Sequence, residues 1–167
     1  MHRGLVTDSK VILGISSSPA GLAALRFAVN VARERDVSLW AVRSWVLTSS
    51  PRSPQIWAWE QAMEADARRF VHAAFHDALG AVPRDVSLIV RTPPGGAGAA
   101  LAGYATDEDD LIVVGASRSR WWLRPVVRDA LCPVVTVPPP VLARLSGRRL
   151  AREAATALSR GAAGLRS

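Results

Sequence analysis

The fold can be predicted first from one stretch near the N-terminus, Lys10-Val-Ile-Leu-Gly-Ile-Ser-Ser-Ser-Pro19. Residues 11–15 are apolar without polar alternation, which is typical of a strand buried on both faces of a parallel sheet. Three serines and a proline follow, and serine as N-cap with proline in the first turn favours a helix start. Apolar residues at helical spacing extend this helix to about Arg35. The stretch therefore predicts a strand, a tight turn and a helix.

The same alternation continues to residue 138. The predicted elements are a strand at 37–45, a helix at 55–78, a strand at 86–91, a short helix at 97–104, a strand at 110–115, a helix at 121–131 and a strand at 133–137. Pro138-Pro-Pro140 then removes three amide donors in succession. This order predicts an α/β fold: a doubly wound, five-stranded parallel sheet with helices on both faces.

Length and composition narrow the class of protein. The chain has 167 residues, 49% of them hydrophobic, which predicts one folded domain with a short appendage. No stretch approaches the ~18 uncharged apolar residues of a membrane span, and residues 1–10 do not resemble a signal peptide. A cytoplasmic protein is expected. Cys132 is the only cysteine, so an internal disulfide and a cysteine-cluster zinc site are excluded.

Most of the positive charge lies near the C-terminus. Residues 139–167 hold six arginines and one acid, Glu153, a net charge of +5 that leaves +2 of the total +7 to residues 1–138. We therefore divide the chain into an α/β domain at 1–138 and a basic tail at 139–167 that is a peripheral helix or disordered. Charge alone allows this tail to bind nucleic acid weakly, at low salt.

Four segments, in order, resemble the universal stress protein family. They are Val11–Ala20, Ala24–Trp45, Asp110–Gly115 and Cys132–Pro138, and together they span about residues 9–138. The resemblance implies a Rossmann-like domain and a homodimer in which the last strand, Val134–Val137, pairs across the interface. It also implies that some members bind ATP at the strand ends while others bind no nucleotide.

The motif of the ATP-binding members is degenerate in this chain. The family pattern G-x2-G-x9-G-[ST], placed from Gly115, requires glycines that admit phosphate to backbone amides. It meets Arg118, Arg128 and Asp129 instead, and Ser16 stands where the family commonly has aspartate. The sequence therefore predicts that standard ATP binding is lost and that no cofactor is required.

The alternative is an arginine-based site for ATP or AMP with Mg²⁺, since guanidinium groups bind phosphate without a glycine loop. Its cofactor-binding residues would be Ser16, Val42, Gly115, Ser117, Arg118 and Arg120.

Other patterns have simpler explanations. His72 and His76 share a helix face, but no third ligand follows in register, so no metal site is predicted. Gly96-Ala-Gly98 is a broken dinucleotide fingerprint, and Ser16-Ser17-Ser18 caps a helix in place of supplying a nucleophile. Cys132 is expected to be a buried thiol. The acidic cluster Asp107, Asp109 and Asp110 is expected to be a solvated loop.

Tryptophans form two groups. Trp121 and Trp122 lie among arginines and either fill the volume left by the shortened loop or form a surface for a nucleotide base, an RNA strand or a protein partner. Trp40, Trp45, Trp57 and Trp59 fall near the second strand and the next helix, where core or dimer packing is favoured over a pocket wall.

These observations predict a non-catalytic, regulatory or stress-protective binding protein. No acid, base, nucleophile and metal set converges in the sequence, so no catalytic residue is assigned. A weak ATPase is the only activity that the resemblance suggests. An adenine-nucleotide binder and a polyanion-binding module working through the tail remain the alternatives.

Overall fold

The structure, a computed structural model, describes residues 9–46, 56–116 and 123–144. Its elements in chain order are β1 (Lys10–Gly14), α1 (Pro19–Arg35), β2 (Ser38–Val42), α2 (Ile56–Leu79), β3 (Leu88–Arg91), α3 (Ala97–Tyr104), β4 (Leu111–Gly115), α4 (Leu123–Asp129), β5 (Val134–Val137) and α5 (Val141–Arg144).

The five strands form one sheet in the order β3-β2-β1-β4-β5, and every neighbouring pair is parallel. Ile12 in β1 lies between Trp40 of β2 and Ile112 of β4. The chain first builds outward from β1 to β3 and then returns to add β4 on the other side. This is the doubly wound topology that the sequence predicts, so the fold prediction is confirmed.

Two apolar cores lie on opposite faces of the sheet. On one face α1 and α2 pack with side chains such as Leu25 and Phe75 against Leu13 of β1. On the other face Leu101 of α3 and Val126 of α4 pack around Ile12. Alternate residues of β1 serve the two cores, which explains why its sequence is apolar without interruption.

The start of α1 matches the predicted cap. The Ser18 hydroxyl oxygen accepts a hydrogen bond from the amide of Gly21 at 3.0 Å, and Pro19 occupies the first turn. At the other end Asp36 adopts a left-handed conformation (φ 53°) and its amide bonds back to the last turn. These caps satisfy backbone groups that a helix cannot pair internally.

The second strand is shorter than predicted. The sequence favours strand to Trp45, but β2 ends at Val42, level with the last residue of β3, Arg91. Pro93 and Pro94 follow β3 and have no amide hydrogen, so the ladder cannot continue. A single parallel bridge between Trp45 and Pro94 is what remains of the pairing.

The acidic cluster before β4 differs from the solvated loop that the sequence predicts. Asp110 is not solvated: its side chain is buried and forms an ion pair with Lys10 Nζ at 2.9 Å. Its carboxylate also accepts from the Lys10, Thr106 and Asp107 amides at 2.9 to 3.0 Å. Burial alone would raise the pKa of Asp110, but these hydrogen bonds outweigh it and hold the pKa below its ordinary value.

Part of the predicted organisation falls outside the described residues. The loop at 47–54 and the tail from residue 145 onward lie in this part. The structure describes the start of the tail, which contains the short helix α5. Among the described helices, none combines the length and apolar character needed to cross a bilayer.

Candidate functional site

A cavity of about 500 Å³ opens where β1, β2 and β4 end. In a doubly wound sheet the strand order reverses at one position, the switch point. The loops after the two strands that flank it run to opposite faces of the sheet, and a crevice forms between them. Here the switch point lies between β1 and β4. The cavity is therefore located where this topology places ligand sites.

The described part of the cavity wall combines backbone, hydroxyl groups and one cation. The lining residues come from the strand ends, the start of α1 and the side of α3: Gly14, Ile15, Ser16, Ser18, Val42, Arg43, Ser44, Ala97, Leu101, Gly115 and Ala116. Ile15, Val42 and Leu101 provide apolar surface, and three serines and Arg43 provide hydrogen-bond donors. This mixture is typical of a small-molecule site.

Gly115 allows the start of α1 to lie close to the end of β4, and Gly21 allows it to lie close to the turn after β1. A Cβ atom added at Gly115 would lie 2.5 Å from the amide nitrogen of Gly21, and one added at Gly21 would lie 2.5 Å from the carbonyl oxygen of Ser16. No larger residue fits at either position without movement of the backbone. The N-terminal end of α1 therefore lies directly beside the cavity.

The serines at this end are already oriented. The Ser16 hydroxyl donates to the Ser18 oxygen at 3.1 Å, and the Ser18 amide donates to the Ser16 oxygen at 3.2 Å. Both side chains line the cavity beside the start of α1. A helix N-terminus with nearby hydroxyl groups favours an anionic ligand group.

Half of the predicted nucleotide residues can be placed. Ser16, Val42 and Gly115 line the same cavity, so the structure brings together three residues from separate parts of the chain. Ser117, Arg118 and Arg120 lie outside the described residues, as do Trp121 and Trp122. Whether they contribute to the site stays a prediction.

Sequence reasoning missed Arg43 as a site residue, because the second strand was predicted to continue to Trp45 whereas β2 ends at Val42. Its guanidinium lies 4.2 Å from the centre of the Phe70 ring, and Nη1 donates to the carbonyl of Ile15 at 3.3 Å. Within the described part of the chain no carboxylate lies within 4 Å of Arg43 to form an ion pair. A charged residue immediately after an apolar run was the available signal.

The other sequence patterns do not converge on the cavity. His72 and His76 are exposed on α2, and His76 Nδ1 lies 3.2 Å from the Gly80 carbonyl oxygen. No group of three or more metal-ligating side chains occurs within the described ranges. Gly96 and Gly98 belong to the start of α3, of which only Ala97 and Leu101 contact the cavity.

Cys132 and the tryptophans have separate surroundings. Cys132 is buried as predicted, and burial and the nearby charge of Asp110 raise the pKa of its thiol. Trp40 and Trp45 are half-buried, whereas Trp57 and Trp59 are about 60% and 58% exposed. The four residues therefore do not form one packed cluster.

The sheet and its cavity define a doubly wound α/β domain with a ligand-sized site at the topological switch point. The chain belongs to the universal stress protein family, whose sequence profile, described as Usp: Universal stress protein family, matches residues 9–138. The resemblance found in the sequence is confirmed. No curated protein matches the chain significantly.

Solved structures support the same fold. The universal stress protein UspA from Lactobacillus plantarum is 20% identical, with 77% of this chain and 97% of that chain aligned at a TM-score of 0.59. A universal stress protein family member from Burkholderia pseudomallei is 18% identical, with 79% of this chain and 96% of that chain aligned at a TM-score of 0.53. A family member from Arabidopsis thaliana, with AMP bound, is 16% identical, with 83% of this chain and 97% of that chain aligned at a TM-score of 0.54. At these identities the likeness establishes the fold alone.

Proposed function

We propose that this protein is a non-catalytic, regulatory binding protein whose strand-end cavity takes an adenine mononucleotide. The observation that carries the proposal is the open cavity of about 500 Å³ at the switch point, lined by Ser16, Val42 and Gly115. A volume of this size lies within the range of small-molecule sites. An open cavity supports the nucleotide-binding alternative more than a scaffold whose pocket has closed.

The chemistry of the wall gives the ligand an orientation. The phosphate lies toward Ser16, Ser18 and the start of α1, because hydroxyl groups and a helix N-terminus favour negative charge. The base lies toward Val42 and Arg43 at the end of β2, where apolar surface and a guanidinium plane suit a flat ring. The AMP bound by the Arabidopsis relative is a ligand of this class.

A triphosphate fits the sequence less well than a monophosphate. The sequence after β4 has no glycine at 118 or 128, so it lacks the two positions at which the family motif brings backbone amides around further phosphates. Arg118 and Arg120 are predicted to replace part of that function through their side chains. We therefore propose that AMP binds more tightly than ATP with Mg²⁺.

The residues at the cavity support binding without catalysis. Among the described lining residues there is no carboxylate, imidazole or thiol that could transfer a proton or hold a metal ion. Serines that cap a helix and one arginine orient a ligand but do not activate a nucleophile. The proposed role of the nucleotide is accordingly to be sensed, not consumed.

Calorimetric titration with AMP tests the proposal. We expect saturable binding by the natural protein, and at least about tenfold weaker binding after Ala97→Trp, because the indole would occupy the cavity beside α3. Ala99→Trp is the matched control, since Ala99 is exposed on the same helix but does not line the cavity. Absence of heat up to millimolar AMP, or an equal loss in both variants, would contradict the proposal.

A further inference from the structure

A second cavity of about 320 Å³ lies beside the first, between the end of β2 and α2. The two cavities share Arg43 and Ser44 in their walls. The second cavity therefore continues the strand-end site on the side where β2 ends. Nothing in the family motif or in the proposed AMP site accounts for it.

The walls of the second cavity are mainly apolar and aromatic. Trp45, Met63 and Phe70 line it, together with the small side chain of Ala67. Trp45 is fixed, because its indole nitrogen donates to the Thr92 carbonyl at 2.9 Å and its backbone bridges to the loop after β3. Met63 is half-buried and its thioether adapts to the shape of a neighbour.

Among the described residues that line this cavity, the one acidic side chain is already paired. Asp66 forms an ion pair with Arg69 on the exposed side of α2, so its carboxylate is directed to a partner of its own helix. The charge that remains at the cavity is the guanidinium of Arg43. A neutral, flat ligand group thus meets aromatic walls and no unpaired carboxylate among the described residues.

Arg43 forms the partition between the two cavities. Its guanidinium is stacked on Phe70 at 4.2 Å and held by one hydrogen bond of 3.3 Å to Ile15. A guanidinium plane that covers one ring can take a second ring on its other face, or move aside at the cost of one long hydrogen bond. The partition therefore permits a ligand that extends from one cavity into the other.

We propose that the second cavity is a subsite for an aromatic group attached to the base of the nucleotide, with Arg43 as the specificity-determining residue at the junction. The inference rests on the proposed function, because the base end of that ligand lies at Val42 and Arg43. The ligand class is an adenine nucleotide carrying an apolar ring on its exocyclic amine. Burial of that ring against Trp45, Met63 and Phe70 supplies the additional affinity.

The test compares AMP with AMP benzylated on the exocyclic amine, titrated into the full chain by calorimetry. Burying a phenyl ring predicts that benzyl-AMP binds at least about tenfold more tightly than AMP. Met63→Trp should abolish this preference and leave AMP binding unchanged, since Met63 lines only the second of these two cavities. Ala62→Trp, an exposed neighbour outside both cavities, is the control and should keep the preference.

The outcomes separate this inference from the proposed function. If AMP binds but the natural protein shows no preference for benzyl-AMP, the subsite is overturned while the proposed function stands. A preference that Met63→Trp retains would also overturn it. If neither nucleotide binds, the proposed function fails and this inference with it. The preference of the natural protein is decisive even if Met63→Trp does not fold.

Discussion

Asp110 is a residue whose importance depends on a partner 100 positions away in the chain. Its carboxylate ties the first residue of β1 to the turn before β4 through the ion pair with Lys10 and three amide hydrogen bonds. Both side chains are at least nine-tenths buried. A buried pair of this kind is costly to break, because the remaining charge keeps its desolvation penalty.

We expect Asp110→Asn to lower the free energy of unfolding by about 3 kcal/mol at neutral pH, since it leaves the Lys10 ammonium buried without a counter-charge. Urea denaturation followed by circular dichroism measures the change. Asp109→Asn is the control: Asp109 is exposed and its side chain makes no described contact, so its stability should be unchanged.

The same pair predicts the acid sensitivity of the fold. Because the pKa of Asp110 is lower in the folded protein, its stabilising contribution is complete above the unfolded pKa of about 3.9 and is lost as the pH falls through the folded value. The natural protein should therefore lose stability below about pH 4 more steeply than Asp110→Asn. Parallel curves for the two proteins would contradict this assignment.

Sequence patterns predict the features that depend on residues close together in the chain. Ser18 could be recognised as the cap of α1 because its partner, Gly21, is three residues away. Asp110 and Arg43 could not, because their environments are built by Lys10 and Phe70, which only the fold brings near. The missed features of the site are thus the long-range ones.

At the scale of elements, the site depends on how closely α1 approaches β4. Gly115 makes this approach possible, since a Cβ there would lie 2.5 Å from the amide nitrogen of Gly21 in α1. The positions of helices and strands were predictable from apolar periodicity, but the distance between α1 and β4 was not. The end of β2 was also predicted too late, because the prolines that end its pairing belong to the loop after β3.

Gly115→Ala should destabilise the protein by about 1–3 kcal/mol, because the added methyl group forces α1 away from β4. Gly103→Ala is the matched control in α3, where an added Cβ meets nothing within 4 Å. That variant should be neutral or slightly more stable, as alanine favours helix. Thermal unfolding of both variants measures the difference, and equal melting temperatures would contradict the close approach.

At the scale of the whole molecule, the sheet ends in an edge strand, β5. The Pro133 and Val137 carbonyls accept from the amides of Ile112 in β4 and Ala116 just after it, so the alternate residues Val134 and Thr136 direct their amides outward. Large apolar side chains near β5 in sequence are exposed, including Val127, Leu131 and Val141. We propose, in line with the family resemblance, that a second copy of the chain pairs with this edge.

Thr136→Pro should convert the proposed dimer to a monomer, because proline removes an outward amide without breaking the ladder to β4. Thr136→Val keeps that amide and is the control. Light scattering coupled to size-exclusion chromatography measures both masses. A natural protein that is monomeric at micromolar concentration, or a dimer that survives Thr136→Pro, would count against β5 pairing.

Amide NMR during titration with AMP measures whether an adenine mononucleotide occupies the cavity at the switch point. We expect saturable shifts concentrated at the ends of β1, β2 and β4, at Ile15, Ser16, Val42, Arg43 and Gly115. The amide signals of α2 residues that do not line the cavity, such as His72 and His76, should not shift. Shifts confined to other surfaces, or none at millimolar AMP, would contradict the claim.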